Sequence, residues 1–155
     1  GKKDQLKKLY SLLTVIITIT FWIGVIVAAI LVPYLLKLVK SKTSMFGGTT
    51  LIIMAFYQFE IIMHQRATKL ISYTNVQPYV KSYIVTAIVE LLVATVAFVV
   101  LDASITVYVA GLAMAEIYNF IVWLNRASTL VGENVLGLYT KGIKECINYF
   151  RNFGD

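Results

Sequence analysis

Three glutamates and one histidine are the side chains whose type and spacing could do chemistry in this sequence. Glu60, Glu90 and Glu116 each lie near the middle of a separate apolar segment, and His64 follows Glu60 by four residues. At a rise of about 1.5 Å per residue, the three carboxyls are expected roughly 13–15 Å from one membrane face. A charged carboxylate facing lipid costs at least about 2.5–3.5 kcal/mol, so these groups should face the protein interior, a subunit interface or water.

Polar neighbours mark the same helix faces. Asn119 follows Glu116 by three residues, and Thr86 precedes Glu90 by one helical turn. Such stripes suit hydrogen bonds between membrane helices. Either each glutamate is protonated and bonded across a helix pair, or the group lines a water-filled or ion-conducting path. The candidate intramembrane site therefore consists of Glu60, His64, Glu90, Glu116 and Asn119.

A metal or catalytic site has less support from the spacing. His64 with Glu60, Glu90 and Glu116 could in principle bind a metal, but the Glu-x-x-His spacing of di-iron proteins is absent and one histidine is few. No Ser/His/Asp constellation and no phosphate-cradling glycine loop occurs in the sequence. The single cysteine, Cys146, cannot form an intrachain disulfide. We therefore predict no catalytic residue, no metal, no cofactor and no enzymatic activity.

His64 has two further interpretations. As a haem ligand it would need a second histidine from another subunit, because the chain has only one. The alternative is that His64 pairs with Glu60 or lies near the membrane interface beside Arg66.

The composition identifies the class of protein that must position these residues. Of the 155 residues, 59% are apolar and 14% are charged, against roughly 45–50% and about 25% in globular proteins. A soluble fold of this size keeps too much surface exposed to hide so many apolar side chains, and disorder requires the opposite composition. Basic residues lie at the ends of apolar runs, which indicates membrane orientation and contact with anionic lipids rather than nucleic acid.

Hydropathy predicts an all-α integral membrane four-helix bundle within residues 1–127, since about 20 apolar residues cross a bilayer. The expected spans are about 9–36, 49–70, 81–101 and 104–125, with a loop at 73–78. Only Asp102 and Ala103 separate the last two spans, so we expect a tight antiparallel hairpin that forms the rigid core. In that hairpin, Glu90 and Glu116 should face each other or one shared cavity. Glu90 has the most apolar neighbours and should be the least compensated of the three acids.

The distribution of Lys and Arg predicts the orientation. In a four-span arrangement, eleven of these residues fall on one side of the membrane and three on the other. The positive-inside rule then puts both termini in the cytoplasm, most simply of a bacterial cytoplasmic membrane.

Residues 128–155 have a different character from the spans. Val131, Val135, Leu138, Ile147 and Phe150 can share one helical face, with Lys141, Lys144 and Glu145 off it. This pattern predicts a C-terminal amphipathic helix at the cytoplasmic membrane surface. The alternative is a solvated tail that packs on a neighbouring subunit.

Two stretches resemble holins of phages that infect Bacteroidetes. Phe21-Trp22-Ile23-Gly24-Val25 resembles their Phe-Trp-x-Gly element, and a basic loop from Lys37 to Gly48 follows it. Gly111 to Ile117 resembles the glycine and glutamate of their last span. The chain departs from the pattern in two ways. Thr20 precedes the aromatic pair where those holins usually have Asp, and four spans are expected where three are common. The resemblance implies a small protein that oligomerises in the cytoplasmic membrane and permeabilises it.

Three functions are compatible with these observations. The first is a homo-oligomeric, holin-like pore that contributes to ion transport. The second is a non-catalytic subunit of a larger membrane complex, whose partners would satisfy the intramembrane polar groups. The third is a proton- or cation-coupled carrier that uses the intramembrane glutamates.

Overall fold

The computed structural model describes residues 1–42, 47–74 and 77–151. Positions 43–46 of the basic loop between the first two spans, positions 75–76 of the loop expected at 73–78, and the last four residues of the tail lie outside the described residues.

Five α-helices make up most of the described chain, and those residues include no β-strand. The helices are α1 (Lys2–Leu38), α2 (Gly48–Ser72), α3 (Val80–Thr95), α4 (Ile105–Leu130) and α5 (Val135–Arg151), and a π-helical turn, Val96–Val100, extends α3. Within the described ranges, three helices are long and apolar enough to cross a bilayer: α1, α3 with its π-helical turn, and α4. The prediction of an all-α membrane protein is confirmed.

The second predicted span, 49–70, forms α2 but is not among those three helices. Its average hydropathy is lowered by polar residues such as Glu60 and His64. Both of these side chains are buried, whereas Ile52 and Phe56 on the same helix are exposed. Burial of Glu60 and His64 therefore removes part of the polarity of α2 from its outer surface, on which Gln58, Gln65 and Lys69 are exposed.

Helix α2 lies alongside α4 and runs in the same direction. Near the start of both helices, the Thr50 and Thr106 hydroxyl oxygens are 2.5 Å apart. Near their other ends, Ile71 shares a hydrophobic cluster with Ala127 and Val131. No other pair of described helices packs as extensively.

Helices α3 and α4 form the antiparallel pair expected from the short connection between them, but this pair is not the core of the fold. The connection comprises residues 101–104, since helical structure ends at Val100 and resumes at Ile105. Asp102 takes a φ of 44° in this turn, a left-handed conformation that Asp tolerates better than most residues. Helix α3 also packs less extensively on α4 than α2 does, and Thr86 is the only buried residue of α3.

The corner between α4 and α5 has local signals that stop one helix and start the next. Gly132 has a φ of 76°, which suits the left-handed end of a helix and favours glycine. The Asn134 side-chain oxygen then accepts a hydrogen bond of 2.6 Å from the Gly137 backbone N–H, as a helix-capping residue does. The chain thereby turns back so that α5 packs against α1.

Helix α5 crosses α1 at a very close contact. A Cβ atom added to Gly142 would overlap the backbone carbonyl of Ser11 and approach the Val15 side chain. Leu138 is also fully buried. Ile147 and Phe150, which the sequence places on the same apolar face as Leu138, are exposed.

The second half of α1 makes little contact with the other described helices. All buried residues of α1 lie at or before Val15. Phe21 and Trp22 still pack on Phe59 of α2, with ring centroids 5.5 and 5.8 Å from its ring. Beyond them, Gly24 has open space around its Cα.

Candidate functional site

Three stripes of polar residues at helical spacing converge where α2, α3 and α4 meet. Residues three or four apart lie on one face of a helix, so each stripe points in a single direction. The stripes are Glu60, His64 and Thr68 on α2, Ser82, Thr86 and Glu90 on α3, and Glu116, Asn119 and Trp123 on α4. We call the buried set of Glu60, His64, Glu116 and Asn119 the interior cluster.

His64 and Glu116 form the central pair of the interior cluster. His64 Nδ1 is hydrogen-bonded to Glu116 Oε1, and both side chains are almost completely buried. The expected pairing of His64 with Glu60 is wrong, because the alignment of α2 beside α4 directs the imidazole to the neighbouring helix. The Tyr83 ring stacks at a tilt on the imidazole, with centroids 4.8 Å apart.

Asn119 connects α3 to the central pair. Its Nδ2 donates to Thr86 Oγ1 at 2.7 Å and to Glu116 Oε2 at 3.3 Å. Its Oδ1 accepts hydrogen bonds from Ser82 Oγ and from Trp123 Nε1. The amide is thus bonded at both ends and fixes the second oxygen of Glu116.

Glu60 is the exception within the interior cluster. Its side chain is fully buried, and neither carboxylate oxygen has a hydrogen-bond partner in the described part of the chain. His64 Nε2 is also buried without a partner among the described residues. The Glu116 carboxyl adjoins His64 on the other side of the ring, through the hydrogen bond at Nδ1. A carboxyl and an imidazole nitrogen, both unbonded, therefore lie one helical turn apart beside a second carboxyl.

Glu90 has an environment of its own. The Tyr57 hydroxyl of α2 donates to Glu90 Oε1 at 3.0 Å, and the carboxyl is only half-buried. The expectation that Glu90 is the least compensated of the three acids is wrong, since Glu60 is the one without a partner. Glu90 and Glu116 bond to different residues of α2 rather than to each other.

Arg66 attaches α2 to α1 near the interior cluster. Its guanidinium donates to Thr14 Oγ1 at 2.8 Å and to the Tyr10 carbonyl oxygen at 2.7 Å. The same group lies over the Tyr10 ring, 4.4 Å from its centroid. Arg66 therefore joins α2 to α1 through hydrogen bonds and ring stacking, whereas His64 pairs with Glu116.

Several residues of this network were missed at the sequence level. Tyr57, Ser82 and Trp123 are not among the site residues that the sequence predicts. The available signal was spacing: Ser82 precedes Thr86 by four residues, and Trp123 follows Asn119 by four. A search for polar residues extending each stripe by one turn would have found Ser82 and Trp123.

The chemistry of the cluster is that of proton-binding groups. Within residues 1–42, 47–74 and 77–151, no three His, Cys, Asp or Glu side chains are grouped so that they could hold a metal ion. Together, the fold and the site define an all-α membrane protein with ionisable side chains buried between its helices. Comparison with protein-family models, with curated proteins and with solved structures finds no significant match.

Proposed function

We propose that this chain crosses the membrane four times and that its interior cluster binds and transfers protons. The observation that carries the proposal is Glu60, a fully buried carboxyl with no hydrogen-bond partner in the described chain. Ionisable groups inside a membrane protein are costly and are characteristic of proton relays and ion pathways. A purely structural glutamate would be expected to have partners, as Glu116 and Glu90 have.

The four-span arrangement is supported by the packing of α2. Because α2 runs beside α4 from Thr50 to Ile71, it extends through the same depth as a helix that is apolar enough to span. Its polar residues Glu60 and His64 face inward, which reduces the polarity that α2 would present to lipid. The positive-inside rule then favours cytoplasmic termini.

The proposed transfer step uses the free nitrogen of His64. If Nδ1 carries the proton that bonds to Glu116, Nε2 is an unprotonated acceptor. Because the Glu60 carboxyl and Nε2 are not hydrogen-bonded to each other, a bridging water would carry the proton from protonated Glu60 to Nε2, which leaves a Glu60 carboxylate and an imidazolium paired with the Glu116 carboxylate. Release of the proton from Nε2 and reprotonation of Glu60 restore the starting state. Between the uptake and the release of the proton, the positive charge of the His64 imidazolium lies beside the Glu116 carboxylate.

Proton flux into liposomes tests this proposal. Purified chain would be reconstituted with an internal pH indicator, a pH gradient and valinomycin with potassium to compensate charge. Glu60→Gln keeps the shape of the side chain but removes its titration, so flux should fall about a hundredfold, within the range of proton transfer by a positioned group. Asp102→Asn, the same chemical change in an exposed turn, is the matched control and should keep wild-type flux. Wild-type flux in Glu60→Gln, or no wild-type flux above that of empty liposomes, would contradict the proposal.

A homo-oligomeric, holin-like pore is the second candidate function. The observation in its favour is the open surface of α1 after Trp22, where a Cβ added to Gly24 would meet no atom of another described element within 4 Å. Small residues on such a surface permit close approach of a second membrane helix. Leakage of a dye too large for a proton relay would support the pore, and the mass of the assembly in native membranes would separate a homo-oligomer from a subunit of a larger complex.

A further inference from the structure

A cleft of about 370 Å³ opens between α3 and α4, outside the interior cluster. The charged residues of its lining are exposed, and the buried ones are uncharged. Lys81 and Arg126 are exposed, Ser82 is half-buried, and Thr86 and Trp123 are buried. The remaining lining residues are apolar or aromatic: Pro78, Val85, Tyr118 and Val122.

The two cations of this cleft are not neutralised by the protein. Within the described ranges, neither Lys81 nor Arg126 forms an ion pair with a carboxylate. Arg126 stacks over the Trp123 ring, 4.7 Å from its centroid, which holds the guanidinium beside the cleft. A stacked guanidinium keeps its N–H donors available at the edge of the group. The cleft therefore offers two positive charges to an outside anion.

The position of the cleft indicates where that anion comes from. Lys81 is in the first turn of α3 and Arg126 is in the last turns of α4, and both helices are apolar enough to span a membrane. The cleft thus lies at one end of two spanning helices, where lipid headgroups are found. Val85, Tyr118 and Val122 continue the lining with surface suited to hydrocarbon.

We propose that the cleft binds one anionic phospholipid, with its phosphate between Lys81 and Arg126 and its acyl chains along Val85, Tyr118 and Val122. Basic clefts between membrane helices at the headgroup level suit anionic lipid headgroups. This site goes beyond proton transfer by the interior cluster and does not depend on it.

Lipid binding to the full-length chain in detergent tests the proposal. Native mass spectrometry would count bound phosphatidylglycerol, and phosphatidylcholine would give the baseline for a zwitterionic headgroup. The double variant Lys81→Gln/Arg126→Gln should weaken phosphatidylglycerol binding roughly tenfold or more, because each basic residue near the headgroups contributes to attraction. Lys2→Gln/Lys3→Gln removes the same charge from exposed positions outside the cleft and should bind like wild type.

Three results would overturn the assignment of the lipid to this cleft. Wild-type binding in Lys81→Gln/Arg126→Gln, or an equal loss in both double variants, would show that the cleft does not select the lipid. Inorganic phosphate that competes fully with phosphatidylglycerol at equal concentration would indicate a soluble anion instead. Lys81→Gln alone keeps Arg126 stacked on Trp123, so a smaller, severalfold loss in this variant would support the site independently of the double variant's folding.

Discussion

Glu60 lacks the compensation that buried polar groups normally have. Most buried carboxyl oxygens in proteins accept a hydrogen bond, since an unsatisfied one costs about 1–3 kcal/mol. Both oxygens of Glu60 lack such a partner within the described residues, while the neighbouring Glu116 is bonded at both of its oxygens. This lack of partners is the reason that the proposed proton transfer is assigned to Glu60.

Replacing Glu60 by an apolar residue should therefore stabilise the fold. We expect Glu60→Leu to raise the free energy of unfolding by about 1–3 kcal/mol, because it removes a buried group without leaving a described partner unpaired. Unfolding in a titration with sodium dodecyl sulfate would measure this change. Exposed Gln58, two residues away on α2, provides the control variant Gln58→Leu. A loss of stability in Glu60→Leu would mean that the carboxyl is structural.

His64 should behave in the opposite way. His64→Ala leaves Glu116 Oε1 buried without its partner, and we expect a loss of about 1–3 kcal/mol in the same titration. Tyr57→Phe removes a single hydrogen bond from the half-buried Glu90, and side-chain hydrogen bonds within membrane proteins contribute about 0.6 kcal/mol on average. Its loss should stay below about 1 kcal/mol. Equal losses in the two variants would contradict the central role given to the His64–Glu116 pair.

The sequence predicts which polar residues lie inside, but not how they pair. Glu60, His64, Glu116 and Asn119 are all buried, as the cost of exposing them to lipid requires. The pairing of His64 with Glu116 depends on the axial offset and rotation of α2 relative to α4. Those two quantities are set by packing along the whole helix pair, from Thr50 to Ile71, and leave no signal near His64 itself.

Two kinds of contact attach α5 and the turn before it to α1: the close packing at Gly142 and ion pairs at the surface. Lys8 Nζ lies 2.8 Å from Glu145, and Lys7 Nζ lies 2.6 Å from Glu133. The hydrogen bond from Lys7 holds the pKa of the Glu133 carboxyl below its usual value. This contribution is present above the unfolded-state pKa and is lost as pH falls through the lowered one. Exposed ion pairs contribute little, so the close packing at Gly142 should dominate.

Gly142→Ala tests whether the close packing at Gly142 holds α5 against α1. Alanine favours a helix over glycine by about 1 kcal/mol, yet its Cβ would overlap the Ser11 backbone and push α5 away from α1. Cys146 lies in the cleft between α1 and α5, so its rate of alkylation reports their separation. We expect faster alkylation in Gly142→Ala. Thr140→Ala, at an exposed position of the same helix, should leave the rate unchanged. Equal rates in wild type and Gly142→Ala would refute the close crossing.

At the level of helices, the sequence predicts where each apolar helix lies but not which helices pack most extensively on each other. Helices occur in all four regions where spans are expected, and α5 lies within the expected tail. Proximity along the chain favours an α3–α4 hairpin as the core, whereas α2 packs on α4 more extensively. Large apolar residues of α3, such as Leu91 and Val85, are exposed. In a membrane, apolar residues face lipid as readily as protein, so hydropathy does not identify the interior helices.

For the whole molecule, the side-by-side course of α2 and α4 leads to a specific topology. If α2 crosses the membrane, the turns at 39–42 and 101–104 share one side, and the turns at 73–74 and 131–134 share the other. Single cysteines at Lys40, Asp102, Tyr73 and Asn134, in a Cys146→Ser background, would test this with a membrane-impermeant maleimide applied to intact cells. The positive-inside rule predicts labelling at positions 40 and 102 only, with 73 and 134 labelled after permeabilisation. If α2 instead lay on the membrane surface, Tyr73→Cys would label together with Lys40→Cys, and the interior cluster would lose one of the helices that enclose it. That result would remove the four-span arrangement and, with it, the basis for a proton path across the membrane.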